Sequence, residues 1–393
     1  MAFTVGVGIL LALYVLMMGS TFYFCMVADP ALSPTARFVS YDLPNEIMKL
    51  VGKVAGPKGQ KLLEVFMDRL MAIVYLTVVI GGFLTLWLHA YPWAQQSSHV
   101  PNYHLNIGYV VFLFALYTWR LTMTTSPGII TNETLQYYDH FPYDDFLYVK
   151  GRMDKKRGIP RLARSKFDRM KHQQHVARFD HYCGWVAGTI GEENYRLFLL
   201  FVATQFGMCV YGTMVLTRLF MGEIEDSNLY EVTFLDKSTG QEYKANNYVV
   251  FQYLFHRHIW EAAILTIMAV MAIALSCFLL YHFYVTSIGM TTNEHYKWSD
   301  VRKWHKEQVK KYNAYVKKQQ ETTANDNSQP EKSPSNGDTP TNHASDEVME
   351  DPGPIPKNIY NRGFVENWKQ VLFPISLQRK AEALKQANKS KNA

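Results

Sequence analysis

The chain has 393 residues, 48% of them hydrophobic, and a formal charge of +6. Length alone would allow two or three soluble domains, but the apolar residues gather in blocks long enough to cross a bilayer. Four cysteines (Cys25, Cys183, Cys209 and Cys277) are too few and too scattered for a disulfide framework, and nothing in the modest charge points to nucleic acid.

Residues 2–26 are almost wholly apolar and carry no charge. Since roughly 20 apolar residues span a bilayer, residues 1–28 are read as a retained first span. A signal peptide is the competing reading, but the basic stretch such a peptide needs is missing, the first Lys or Arg being Arg37. Residues 29–67 read as a polar loop, with 45–54 short and amphipathic. Residues 68–123 hold two spans, at 70–88 and 107–123. Residues 195–290 hold two more, at 195–221 and about 259–286, joined by a loop at 222–258. Within that loop, 230–235 and 243–251 have strand-like composition around Lys237-Ser238-Thr239-Gly240, a hairpin signal. The fold class is therefore an all-α polytopic membrane protein with about five spans.

Loop charges orient the spans. Between Lys150 and Arg178 there are eleven Lys and Arg against Asp154 and Asp168, whereas 222–258 is dominated by Glu and Asp. The positive-inside rule places 124–194, between the third and fourth spans, and the C-terminal tail in the cytosol, with 222–258 outside. Residues 291–318 are a basic cytosolic segment. Residues 319–357 are rich in Ser, Thr, Asn, Asp, Pro and Glu and read as a disordered linker. Aromatic and aliphatic residues return in 358–393, which reads as a docking segment and tail.

Three of the cysteines lie inside apolar blocks, where a cysteine is usually a small packing residue. Cys183 lies in a polar loop, in Phe179-Asp180-His181-Tyr182-Cys183-Gly184-Trp185, shortly before the span that opens at Tyr195. His181 can take a thiol proton, and Asp180 can fix the imidazole tautomer and stabilise its charged form. The loop before the motif is basic and suits phosphates, and the span after it suits a hydrocarbon chain. A long-chain acyl-CoA has both polarities, each buried methylene contributing about 0.8 kcal/mol.

Arg178 to Val186, followed by Gly191-x-x-Asn194-Tyr195-Arg196-x-Phe198, resembles the signature of the DHHC family of membrane protein S-acyltransferases, with Tyr182 at its third position. Arg164-Ser165-Lys166 resembles the lead-in to that family's cysteine-rich domain. Ser126-Pro127-Gly128 resembles its Asp-Pro-Gly motif, Thr291-Thr292-Asn293-Glu294 its Thr-Thr-x-Glu motif, and 358–373 a C-terminal motif built on Asn367. The resemblance implies that Cys183 is acylated from palmitoyl-CoA and passes the chain to cysteines of cytosolic or membrane proteins. His181 would be the base and Asp180 its orienter. Thr291, Thr292, Glu294, Asn367, Asn194 and Trp185 would be structural motif residues.

The family's cysteine-rich domain folds around two zinc ions. Here the ligand positions read Phe167, Asp168, Lys171 and Gln174 or His175, with Tyr182 and Thr189 in place of the later His and Cys, so no zinc is expected. Phe167, Phe179, Tyr182 and Trp185 are expected to hold the loop instead, packed on the cytosolic ends of the spans. The alternative reading is a catalytically silent scaffold that binds acyl-CoA or client proteins. Lys389 and Lys391 resemble a Lys-x-Lys-x-x retrieval signal, which implies the endoplasmic reticulum or Golgi.

Overall fold

A computed structural model describes residue 38 and residues 42–235, 240–326 and 349–391. Among the described residues, helices dominate: α1 (Leu43–Thr85), α2 (Tyr91–Gln96), α3 (Tyr103–Thr124), α4 (Leu135–Tyr138), α5 (Tyr195–Asp226), α6 (Asn247–Arg257), α7 (Ile259–Ser287), α8 (Thr292–Asp326), α9 (Phe364–Leu372) and α10 (Ile375–Lys391). Four of the described stretches are long and apolar enough to cross a membrane: Asn45–Gln96, Tyr103–Thr124, Tyr195–Asp226 and Ile259–Ser287. The protein is a multi-pass membrane protein. The span expected at 1–28 lies outside the described residues.

Three boundaries differ from the sequence reading. The loop expected at 29–67 is helical from Leu43 onward, broken where Gly56 takes φ 67° just before Pro57. Hydropathy is blind to a polar helix, and residues 60–64 (Gln, Lys, Leu, Leu, Glu) are good helix formers. The linker expected at 319–357 begins as helix, because α8 continues through Gln319 to Asp326. Residues 327–348 lie outside the described residues. In the 222–258 loop, strands β6 (Thr233–Leu235) and β7 (Glu242–Lys244) do pair antiparallel, Thr233 opposite Lys244. Residues 247–251 are the start of α6 instead, because Asn246 caps it by accepting the Val249 N–H at 3.0 Å.

The chain divides into two compact units. The first contains the described residues up to Thr125, Tyr182–Gly188 and Leu197–Leu279. Its core includes Ala90, Ala94, Val100, Leu216 and Leu219, with Ile264 and Leu265 packed against them. Aromatic rings join its helices: Tyr75 of α1 stacks on Trp119 of α3 and meets Phe201 of α5 edge-on, both at 5.6 Å.

The second unit contains Ser126–His181, Thr189–Arg196 and Leu280–Ala393. The expected 124–194 domain is thus shared between the two, with Tyr182–Gly188 grouped with the spans. Short antiparallel strands organise the second unit: β5 (His175–Val176) lies between β1 (Ile129–Ile130) and β4 (Lys166–Phe167), and β2 (Met153–Asp154) pairs with β3 (Ile159–Pro160). Its core includes Ile130, Tyr138, Ile159, Leu162 and Ala177.

One turn of this unit requires glycine. A Cβ on Gly191 would collide with the Pro127 carbonyl oxygen and come within 2.6 Å of Val176 Cγ1. Gly191→Ala is therefore expected to destabilise the protein by about 1–3 kcal/mol, the usual cost of overpacking. Thermal unfolding of the purified protein in detergent measures it, and an unchanged midpoint would contradict the packing described.

Candidate active site

Asp180 and His181 lie at the end of the 126–181 segment. His181 Nδ1 is 2.6 Å from Asp180 Oδ2, and Asp180 Oδ1 accepts the Thr292 N–H at 2.8 Å. Burial would raise the Asp180 carboxyl, but His181, His282 and the Thr292 N–H together outweigh it and hold the group at about 2. An ionised carboxylate can only accept, so Nδ1 of His181 is the donor and the tautomer is set.

The Thr292 N–H is aimed by a tightly wound corner. Helix α7 ends in a Schellman motif: Gly289, at φ 69°, donates to Thr286 O at 3.0 Å, and Met290 donates to Val285 O at 2.9 Å. The next residues form a capping box. Glu294 N–H donates to Thr291 Oγ1 at 3.2 Å, and Thr291 N–H donates to Glu294 Oε2 at 3.0 Å. The other Glu294 contacts are buried too. Arg164 grips both its oxygens at 2.8 and 2.6 Å, and Tyr148 Oη donates at 3.2 Å. Arg164 also donates to Gly289 O at 3.0 Å and lies over the rings of Phe141 and Tyr360. Burial would raise the Glu294 carboxyl, yet the Arg164 guanidinium holds it below the ordinary range.

Asn194 closes the Gly191 turn, accepting the Gly191 N–H at 2.9 Å and donating to Thr189 O at 3.0 Å. Asn367 is buried and ties the tail to the corner. It donates to Ser287 O at 2.9 Å and Asn361 Oδ1 at 2.8 Å, and accepts from Arg362 N–H at 3.0 Å. Beyond it, α10 is anchored by Lys380, which reaches Glu193 at 2.6 Å and Tyr138 Oη at 2.7 Å.

Cys183 belongs to the first unit, where it is a buried free thiol. The 3-10 turn that follows it, Gly184–Val186, packs on α1 and α3. Tyr182 Oη donates to Asp68 of α1, and the Trp119 indole N–H of α3 donates to Trp185 O at 2.9 Å. The Tyr182 side chain therefore holds this turn on α1, whereas Trp185 contributes its backbone carbonyl to the Trp119 bond. Phe167 and Phe179 act within the second unit, where Arg157 and Lys166 lie over their rings.

Residues 150–299, which contain Arg164, Asp180, His181, Cys183, Asn194 and Glu294, match the DHHC palmitoyltransferase family model. The match covers 150 of the 393 residues, and that stretch is a DHHC palmitoyltransferase domain. It is 27% identical to mouse Palmitoyltransferase ZDHHC4 over 260 residues, covering 62% of this chain and 74% of the mouse protein. It is 25% identical to Palmitoyltransferase SWF1 of Yarrowia lipolytica over 290 residues, 70% of this chain and 72% of that one.

The zinc expected of this family does not fit the residues at its ligand positions. Asp168 is the one carboxylate among them, and hydrogen bonds occupy it. It accepts the N–H groups of Met170, Lys171 and His172 at 3.0–3.2 Å and the Thr189 hydroxyl at 2.6 Å. Thr189 stands where the family pattern has its last cysteine, so a hydroxyl–carboxylate bond joins two segments that a shared metal would join. Ala187 takes a left-handed φ of 44°, a conformation uncommon for a residue with a Cβ.

Sequence reasoning did not isolate a basic cavity of about 540 Å³ in the second unit, lined by Arg152, Lys156, Arg157, Arg161, Lys166, Arg169 and Lys297 among others. Burial lowers both Lys166 and Lys297, and the Lys297 charge lowers Lys166 further. Lys297 is distant from the loop in sequence, which is why a count of loop charges could not find the site.

Glu294→Ala would strand the Arg164 guanidinium, a change that typically costs about 3–5 kcal/mol for a buried pair. The thermal midpoint is expected to fall accordingly. Glu294→Gln, which keeps an acceptor for Arg164 but loses the charge, should fall less. Equal midpoints for wild type and Glu294→Ala would contradict the geometry.

Proposed function

We propose that the protein is a membrane-embedded protein S-acyltransferase that moves a palmitoyl-type chain from acyl-CoA to substrate cysteines through a thioester on Cys183. The observation that carries this reading is the 2.6 Å bond between Asp180 and His181, two residues before the one cysteine in residues 124–194. With Nδ1–H committed to Asp180, Nε2 of His181 is the nitrogen suited to accept a proton.

In the first step His181 takes the Cys183 thiol proton, and Sγ attacks the thioester carbonyl of acyl-CoA. The bond from that carbonyl to the CoA sulfur breaks, and the CoA thiolate leaves with the proton from His181. In the second step His181 takes the proton of a substrate thiol, whose sulfur attacks the Cys183 thioester. Cys183 leaves and regains a proton from His181. Asp180, ionised at neutral pH, stabilises the imidazolium formed in each step.

The basic cavity suits the phosphates of CoA. Arg161→Glu is expected to raise KM for palmitoyl-CoA about ten-fold, since a charged hydrogen bond to phosphate is worth about 1.5–3 kcal/mol. An unchanged KM in steady-state assays would remove the cavity from the reading.

We read the Asp168–Thr189 scaffold as metal-free. Elemental analysis of purified protein is expected to find zinc well below one ion per chain, and a near-stoichiometric ion would overturn this. By the charge bias of the loops, the catalytic segment faces the cytosol.

Incubation with labelled palmitoyl-CoA is expected to put hydroxylamine-sensitive label on Cys183. Cys183→Ser should abolish it, and His181→Ala should slow it by about 10²-fold or more, the usual worth of a positioned base. Wild type that binds palmitoyl-CoA and stays unlabelled would be a silent scaffold.

A further inference from the structure

The transfer steps above leave one polar cluster without a task. Helix α7 is apolar, yet in its penultimate turn it carries His282, 1% exposed, and one turn on Thr286, fully buried. His282 Nδ1 is 2.9 Å from Tyr195 Oη, which is 3.1 Å from Thr286 Oγ1. The His282 ring centroid lies 6.0 Å from that of His181, with the planes tilted by 40°. Arg178 lies over the Tyr195 ring at 5.4 Å. Burying three polar side chains at the end of an apolar helix is costly unless each is satisfied, and aliphatic residues would fill the same space more cheaply.

We propose that His282 and Tyr195 are positioning residues for His181, a role that rests on the acyltransferase reading above. Asp180 fixes the His181 ring at Nδ1, and a bond at one ring atom still allows the ring to swing about that bond. The His282 ring stands on the flank of His181 and limits the swing. Tyr195 fixes His282 in turn, holding its Nδ1 while bonded to Thr286. The chain of restraint runs from α7 and α5 to the His181 ring, so that Nε2 keeps one direction through both proton transfers. The other groups around the cluster are Asp180 and Arg178 from the loop, Tyr281 from α7, and Thr292 and Glu294 from α8.

The test is single-turnover acylation of Cys183 in the full-length, detergent-solubilised protein, followed against palmitoyl-CoA concentration and pH. Tyr195→Phe and His282→Gln are each expected to lower the rate constant at saturating donor about ten-fold, with the half-saturating concentration within about two-fold. The double variant should fall no further than the worse single one, because both act through the same ring. The acid limb of the pH–rate profile should move in both. Thr286→Val, which removes only a hydroxyl from a threonine-shaped space, should show a smaller loss of the same kind and covers the case in which Tyr195→Phe does not fold. A fall in thermal midpoint with unchanged rate constant and pH profile would overturn the proposal, as would fully multiplicative losses. Wild type that leaves Cys183 unlabelled would overturn the acyltransferase reading itself, an outcome distinct from either.

Discussion

The buried ion pair between Arg164 and Glu294 is the constraint on which the second unit depends. Both side chains are 1% exposed, and taking two charges out of water costs several kcal/mol each unless hydrogen bonds replace the lost solvent. Here they do. Glu294 receives two bonds from Arg164, one from Tyr148 and one from the Thr291 N–H, and Arg164 also reaches the Gly289 carbonyl. Arg164 adopts a left-handed φ of 61° to do so, a strained position for a residue with a Cβ. The pair joins the lead-in of the catalytic segment to the corner between α7 and α8. That same corner supplies the N–H that seats Asp180. The direction of the His181 imidazole is thus set, two steps removed, by a salt bridge outside the Asp180–His181 pair.

Much of this was legible in the chain. Long uncharged runs announced the membrane helices, because hydrocarbon leaves a backbone little choice but helix. The Asp180–His181 pair, the Thr291–Glu294 box and Asn367 were visible as motifs, and the structure gives each a hydrogen-bond partner. The partners themselves were not legible. Arg164 read only as part of a three-residue lead-in, since nothing local says that its counter-ion lies 130 residues on. Nothing local singles out His282, because its neighbours Tyr195 and His181 come from elsewhere in the sequence. Boundaries failed where hydropathy and helix propensity part company, before Leu70 and after Lys318. Residues 247–251 failed because one capping asparagine outweighed a β-like composition.

The loss of the family's metal ligands is balanced by ordinary polar chemistry at the same places. Asp168 collects three backbone N–H groups and the Thr189 hydroxyl. Tyr182, which stands where the family pattern has a histidine, sends its hydroxyl to Asp68 on α1. At Asp168, Thr189 and Tyr182 a hydrogen bond of known direction stands where the family pattern has a coordinate bond. The polypeptide then fixes the segment by many weak, oriented contacts instead of a few strong central ones.

That exchange alters which chemical insults the fold can feel. A domain clamped by thiolates around a cation comes apart when peroxide oxidises the sulfurs or a chelator strips the ion. In residues 124–194 of this chain the sole cysteine sulfur is Cys183. Oxidation of cysteine in this segment is therefore confined to the Cys183 sulfur, the atom proposed above to carry the acyl chain, and the contacts between Asp168 and Thr189 contain no sulfur to lose.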